Sequence, residues 1–142
     1  MVRGTTAVFK FKLPHQLKHV TLADVVFWQE GYSGEIGNPL PIKMSYVNSD
    51  FTEPDSYELV VVLTGSKTKA FTDKLKARVQ MKASIEEYDG KAASTIGSQP
   101  QLFTVYPMDD DIMDGTYEED MPKSNQGYVI LDGDSITKAG VI

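Results

Sequence analysis

Residues 77–91 read Ala77-Arg-Val-Gln-Met-Lys-Ala-Ser-Ile85, then Glu86-Glu-Tyr-Asp89-Gly90-Lys91. Ala77, Val79, Met81, Ala83 and Ile85 fall on one side of an extended chain, while Arg78, Gln80, Lys82 and Ser84 fall on the other. A period of two over nine residues is the signature of a β-strand with one face buried and one in water. Such a strand belongs to an antiparallel sheet, since parallel strands are covered on both faces. Asp89-Gly90 then supplies two residues that tolerate positive φ, which is what a tight hairpin turn requires. The fold is therefore read as built from antiparallel hairpins.

Working outward, the same pattern recurs. Thr5 to Leu13 alternates, with Phe9, Phe11 and Leu13 against Lys10 and Lys12, and Pro14 ends the run. Val20 to Trp28 is a second strand, with imperfect alternation around Asp24-Val25-Val26 that suggests a bulge or burial on both faces. Trp28 is expected to pack in the core, as a central-strand tryptophan does. Residues 30–56 carry Gly31, Gly34, Gly37, Pro39 and Pro41, so this part is rich in loops, with a short edge strand over Ile42–Val47. Tyr57 to Leu63 is apolar on both faces through Val60 and Val62, which reads as a central strand. Ser66 is expected to cap one helical turn, KTKAF. Leu102 to Tyr106 is a last strand before Pro107. No alternation of strands with helices appears. The fold class is all-β, an Ig-like antiparallel β-sandwich over residues 1–108.

The charge is uneven. Residues 109–120, DDDIMDGTYEED, hold seven acidic residues and no basic one. Without them the 20 acidic residues of the chain fall to 13, against 14 basic, so the remainder is nearly neutral. Such a run reads as an acidic linker, here 109–127. Residues 128–142 follow as a C-terminal hairpin or assembly arm, YVIL-DG-DSITK, again around an Asp-Gly turn. An isolated two-stranded hairpin is marginal in water, so it is expected to dock on its own domain, to dock on a neighbouring subunit, or to stay mobile.

Several chemistries are disfavoured. The chain has no cysteine, which removes disulfide frameworks, cysteine nucleophiles and thiolate metal sites. His15 and His19 stand four apart, but Pro14 precedes them and no third ligand has a matching spacing, so the plainer reading is two loop histidines. An EF-hand loop counted from Asp110 fails, because Ile112 and Met121 fall where oxygen ligands are needed. The glycines at 31, 34 and 37 lack the Lys-Ser/Thr of a phosphate loop. Asp132-Gly-Asp134-Ser135 suits a turn better than a hydrolase site. No basic stripe interleaved with aromatics marks nucleic-acid binding. No apolar run approaches the ~20 residues that span a bilayer, and the N-terminus lacks the apolar core of a signal peptide. The expectation is a non-enzymatic protein with no cofactor, no metal, no nucleic acid and no membrane.

Two stretches together carry a resemblance. Arg3-Gly-Thr-Thr through Pro14 is the first. The second is Leu63-Thr-Gly-Ser-Lys-Thr-Lys-Ala-Phe71, with Lys76-Ala-Arg-Val-Gln-Met-Lys82 and Asp89-Gly-Lys-Ala-Ala-Ser94 after it. This order resembles small β-sandwich structural proteins of tailed phages and prophages. The resemblance covers roughly residues 3–106, and this chain departs from it in its longer 30–56 region and its 109–142 extension. It implies a bacteriophage virion component of head, neck or tail, made in the bacterial host cytoplasm. Such a protein would act by subunit contacts with other virion proteins and with copies of itself, as a homo-oligomer. It implies no catalytic residue. The contacts are expected at Thr5 and Thr6, at Tyr32 and Tyr46 in the loop-rich part, at Asp109, Asp110 and Asp111, and at Tyr128 and Ile130. The alternative is a carbohydrate-binding or host-attachment module, in which Tyr32, Tyr46 or Trp28 forms an exposed platform.

Overall fold

The computed structural model describes residues 1–73, 75–107 and 128–130; of Glu35, Asn38 and residues 128–130 only the backbone course is described. The strands are β1 (Ala7–Lys12), β2 (Val20–Gln29), β3 (Gly34–Glu35), β4 (Asn38–Pro39), β5 (Ile42–Val47), β6 (Glu58–Leu63), β7 (Ala77–Ile85), β8 (Ser94–Gly97), β9 (Gln101–Phe103) and β10 (Tyr128–Ile130). One helical turn, α1 (Gly65–Thr68), and two 3-10 turns, Leu17–His19 and Asn48–Asp50, complete the described elements. The protein is all-β, and among the described residues no helix is long and apolar enough to cross a membrane.

The strands form two main sheets. The larger runs β5-β2-β7-β8, with β9 following β8 along the same edge of β7, and every pairing in it is antiparallel. The smaller runs β10-β1-β6; β1 pairs antiparallel with β6 and parallel with β10. A two-stranded ribbon, β3-β4, projects from the 30–41 region.

Both sheets turn the predicted apolar sides inward. Phe9 and Phe11 of β1, Leu59, Val61 and Leu63 of β6, Val25 and Phe27 of β2, and the odd-numbered residues of β7 are all buried. An aromatic cluster joins the sheets. Phe9 meets Phe27 edge-on at 4.9 Å and Phe103 at 5.1 Å, and Phe71 meets Phe103 at 5.8 Å. Each buried phenylalanine contributes about 1.5–3 kcal/mol over an exposed one, and each edge-on pair about 0.5–1.5 kcal/mol more.

Five local expectations need correction or refinement. The bulge in β2 lies at Thr21, between the pairs Val20↔Ile85 and Leu22↔Ser84, and not around Asp24–Val26. Trp28 is not in the core: it alternates with the buried Phe27 and Gln29 and so emerges, half-buried, on the outer face. Among the described residues β6 pairs only with β1, so it is an edge strand, and its second apolar face leaves Val60 and Val62 exposed at 44% and 42%. Ser66 lies inside α1, whose N-cap position is Thr64. Tyr128–Ile130 is extended, but its partner is β1; the rest of the expected hairpin and the linker 109–127 lie outside the described residues. The Asp89-Gly90 turn forms as read, with φ of 44° and 77°, and Tyr88 and Lys91 exchange backbone hydrogen bonds across it.

Candidate functional site

The larger sheet turns its outer face to solvent, and strand register decides what that face presents. Side chains directly opposite each other in an antiparallel pair share a face. Ser45, Asp24, Lys82 and Gly97 therefore form one cross-strand row. Lys43, Val26 and Gln80 form the next, and Trp28, Arg78 and Leu102 the one after. Successive rows stand two residues apart along the strands, or roughly 6.4–6.8 Å.

Two depressions lie along these rows. One, of about 510 Å³, is lined by Asp24, Lys43, Lys82, Gly97 and Ser98. The other, of about 450 Å³, is lined by Trp28, Tyr32, Leu40 and Pro41. Val26 and Gln80 line both, so the two form one continuous groove with a polar end and an aromatic end.

The walls are held from behind. Gln29, buried behind the aromatic end, donates from Nε2 to the carbonyls of Thr72 and Leu75, each at 2.7 Å, and accepts the Thr72 N–H at 2.9 Å. It ties the 71–76 connection to β2. At the other end the β8–β9 strand carries one extra residue relative to β7. The register passes from Lys82↔Gly97 to Val79↔Gln101, and Ser98 fills the step. Its hydroxyl accepts the buried Met81 N–H at 2.9 Å, and its carbonyl accepts from the Gln80 amide at 3.0 Å. Asp24 accepts the Ser45 hydroxyl at 2.6 Å. Neither Lys43 nor Lys82 closes an ion pair with Asp24 among the described residues.

The residues named from sequence separate. Tyr32 reaches the groove beside Trp28. Tyr46 does not: it faces the core side of β5, packs half-buried against the core, and burial with Asp50 nearby raises its phenol pKa. An aromatic platform holding all three rings is therefore absent among the described residues. Thr5 donates its hydroxyl to the Val2 carbonyl at 2.7 Å, and Thr6 is exposed. Tyr128 and Ile130 sit opposite Val8 and Lys10 of β1. Asp109, Asp110 and Asp111 lie outside the described residues.

His15 and His19 come together, though through a residue that sequence reading passed over. Tyr88, beside the Asp89-Gly90 turn, lies flat on the His19 ring at 3.4 Å and meets His15 Nδ1 through its hydroxyl at 2.7 Å. His19 Nδ1 is 3.5 Å from Glu86. Burial, then Lys91, then His19 push the His15 imidazole pKa below its ordinary value. Among the described residues no three His, Asp or Glu side chains gather in a way that holds a metal ion. Comparison with protein-family models, curated proteins and solved structures finds no match.

Proposed function

We propose that the chain is a non-enzymatic structural subunit, an Ig-like β-sandwich that joins copies of itself and other virion proteins by lending its C-terminal segment as a strand. The virion setting, in the head, neck or tail of a tailed phage, rests on the sequence resemblance alone. The observation that carries the assembly role is the parallel pairing of Tyr128–Ile130 with Val8–Lys10. Backbone strand addition at a sheet edge is a recurring way for one chain to hold another.

Chain length supports the exchange. Residues 108–127 separate β10 from the last described residue of the body, and twenty residues span at most ~66–72 Å. A body of about 100 residues has a radius of gyration near ~13 Å, so the segment has the reach to pair with its own β1 or a neighbour's. Every buried core residue among the described ones precedes Tyr106, so the body owns its core. A single three-residue strand is weak, and a closed symmetric ring multiplies it through effective concentration.

The test is solution mass by light scattering, on the intact chain and on residues 1–107. A concentration-dependent oligomer that becomes a folded monomer on truncation supports the reading. A truncated chain that assembles as the intact one does would refute it.

A further inference from the structure

The groove on the outer face of the larger sheet has no part in that assembly role. We propose that it is a saccharide-binding site for an uncharged oligosaccharide. In this site one sugar ring lies against Trp28 and Tyr32, and the hydroxyls of the adjoining ring meet Gln80, Asp24, Lys43 and Lys82.

Three observations point to this class of ligand. First, the face places an indole where strand alternation ordinarily puts a polar group, and it joins Tyr32 and Pro41 in one depression. A pyranose offers a flat array of C–H groups on one side, which suits an aromatic face whose ring edge and surface differ in charge. Second, the neighbouring depression offers donors and acceptors of both signs, Asp24 among them with one carboxylate oxygen already taking the Ser45 hydroxyl. The two lysines are unpaired with Asp24, and Gln80 spends its amide N–H on Ser98 and keeps Oε1 for an incoming group. Hydroxyl-rich ligands need both kinds of partner close together. Third, Gly97 ends the row Ser45–Asp24–Lys82 without a side chain, which leaves the groove open at that end.

Other occupants fit less well. A nucleic acid would set phosphates against Asp24, and two lysines do not make the basic stripe that tracks a phosphate backbone. A second copy of this chain would desolvate Lys43 and Lys82, which have no ion pair with Asp24 to offset that cost.

The intact chain holds a single tryptophan, so its emission reports on Trp28 directly. It is titrated with hexasaccharides of glucose, xylose, mannose, galactose and N-acetylglucosamine, by fluorescence and calorimetry. The expected result is binding of at least one of them at roughly millimolar Kd or tighter, with a shift in Trp28 emission. Trp28→Ala and Gly97→Leu should each weaken it by about tenfold or more. Gly97→Leu guards against loss of fold as the explanation. A Cβ there meets only the Met81 carbonyl oxygen, at an ordinary 3.5 Å, and the new side chain projects into the groove. Its melting temperature, measured alongside, should match the parent. The proposal is overturned if no member of the panel binds, or if binding survives both substitutions. It is equally overturned if a proline-rich decapeptide binds the groove in place of the sugars, or if Trp28→Ala lowers the solution mass instead.

Discussion

The Thr68 hydroxyl, fully buried, stands 2.9 Å from the Gly4 N–H and accepts its hydrogen bond. The same hydroxyl faces the carbonyls of Thr5 at 2.8 Å and Gly65 at 3.1 Å. Arg3 adds bonds from Nε to the Phe71 carbonyl and from Nη2 to that of Lys69. Two segments distant in sequence, RGTT and LTGSKTKAF, whose bonded residues lie 63 to 68 positions apart, are thus two halves of one junction. Their role here is to lock the start of β1 onto the end of β6.

That junction predicts two costs. Thr68→Val keeps the shape but orphans the Gly4 N–H, and should lower unfolding free energy by about 1–3 kcal/mol. Gly65→Ala would set a Cβ 2.7 Å from the Gly4 carbonyl oxygen, a backbone atom that cannot swing away. Its cost should be of the overpacking kind, about 1–3 kcal/mol. Urea unfolding of both variants, followed by circular dichroism, measures them.

Gln29 predicts a third. Its buried amide is satisfied at both ends by the Thr72 and Leu75 backbone. Gln29→Met fills the same space and removes the three hydrogen bonds that the amide makes. A loss of about 1–3 kcal/mol is expected in the same assay. Because the 71–76 connection is what Gln29 holds, amide exchange there should quicken more than in β1.

How much of this was legible follows from how local each signal is. The alternation of β7 and the Asp89-Gly90 turn need no information beyond neighbouring residues, and both read correctly. An analogy to central-strand tryptophans puts Trp28 in the core, whereas the parity of β2 puts it outside. Val25 and Phe27 point inward together, so residue 28 had to point out. The apolar outer face of β6 looked like burial on two sides, but period-two patterning cannot say how many strands lie alongside. The groove was hidden for a different reason. Asp24, Lys82 and Gly97 meet only through the registers of β2, β7 and β8, and the one-residue steps at Thr21 and Ser98 set those registers. Likewise, His15 is 73 residues from Tyr88, a pairing that no spacing rule reaches.

The junction at Ser98 tests that view of register. Ser98→Ala removes the acceptor that the Met81 N–H uses at the bulge. A destabilisation of about 1–3 kcal/mol follows from the orphaned buried donor. If the bulge sets the shape of the polar end of the groove, Ser98→Ala should also alter the Gln80 side-chain amide resonances, since their hydrogen bond goes to the Ser98 carbonyl. Unchanged Gln80 resonances would mean that the strand holds its course without the hydroxyl.

His15 carries a pH prediction whose sign follows from its surroundings. Burial, Lys91 and His19 all disfavour the charged imidazole, so its folded pKa lies below the ordinary value of 6.5. Well above pH 6.5 the ring is neutral in both states and its titration does not affect folding. As pH falls below that value the unfolded chain takes up the proton first, so stability declines down through the folded pKa. The urea midpoint should therefore fall between pH 7 and pH 5, and fall less steeply in His15→Gln, where glutamine still offers Tyr88 a hydrogen-bond partner. Lys91→Met removes one of the opposing charges, and should move the His15 titration midpoint upward when it is followed by NMR. A midpoint that moves down, or a His15→Gln variant with the parental pH profile, would show that the imidazole is not held neutral by this cluster.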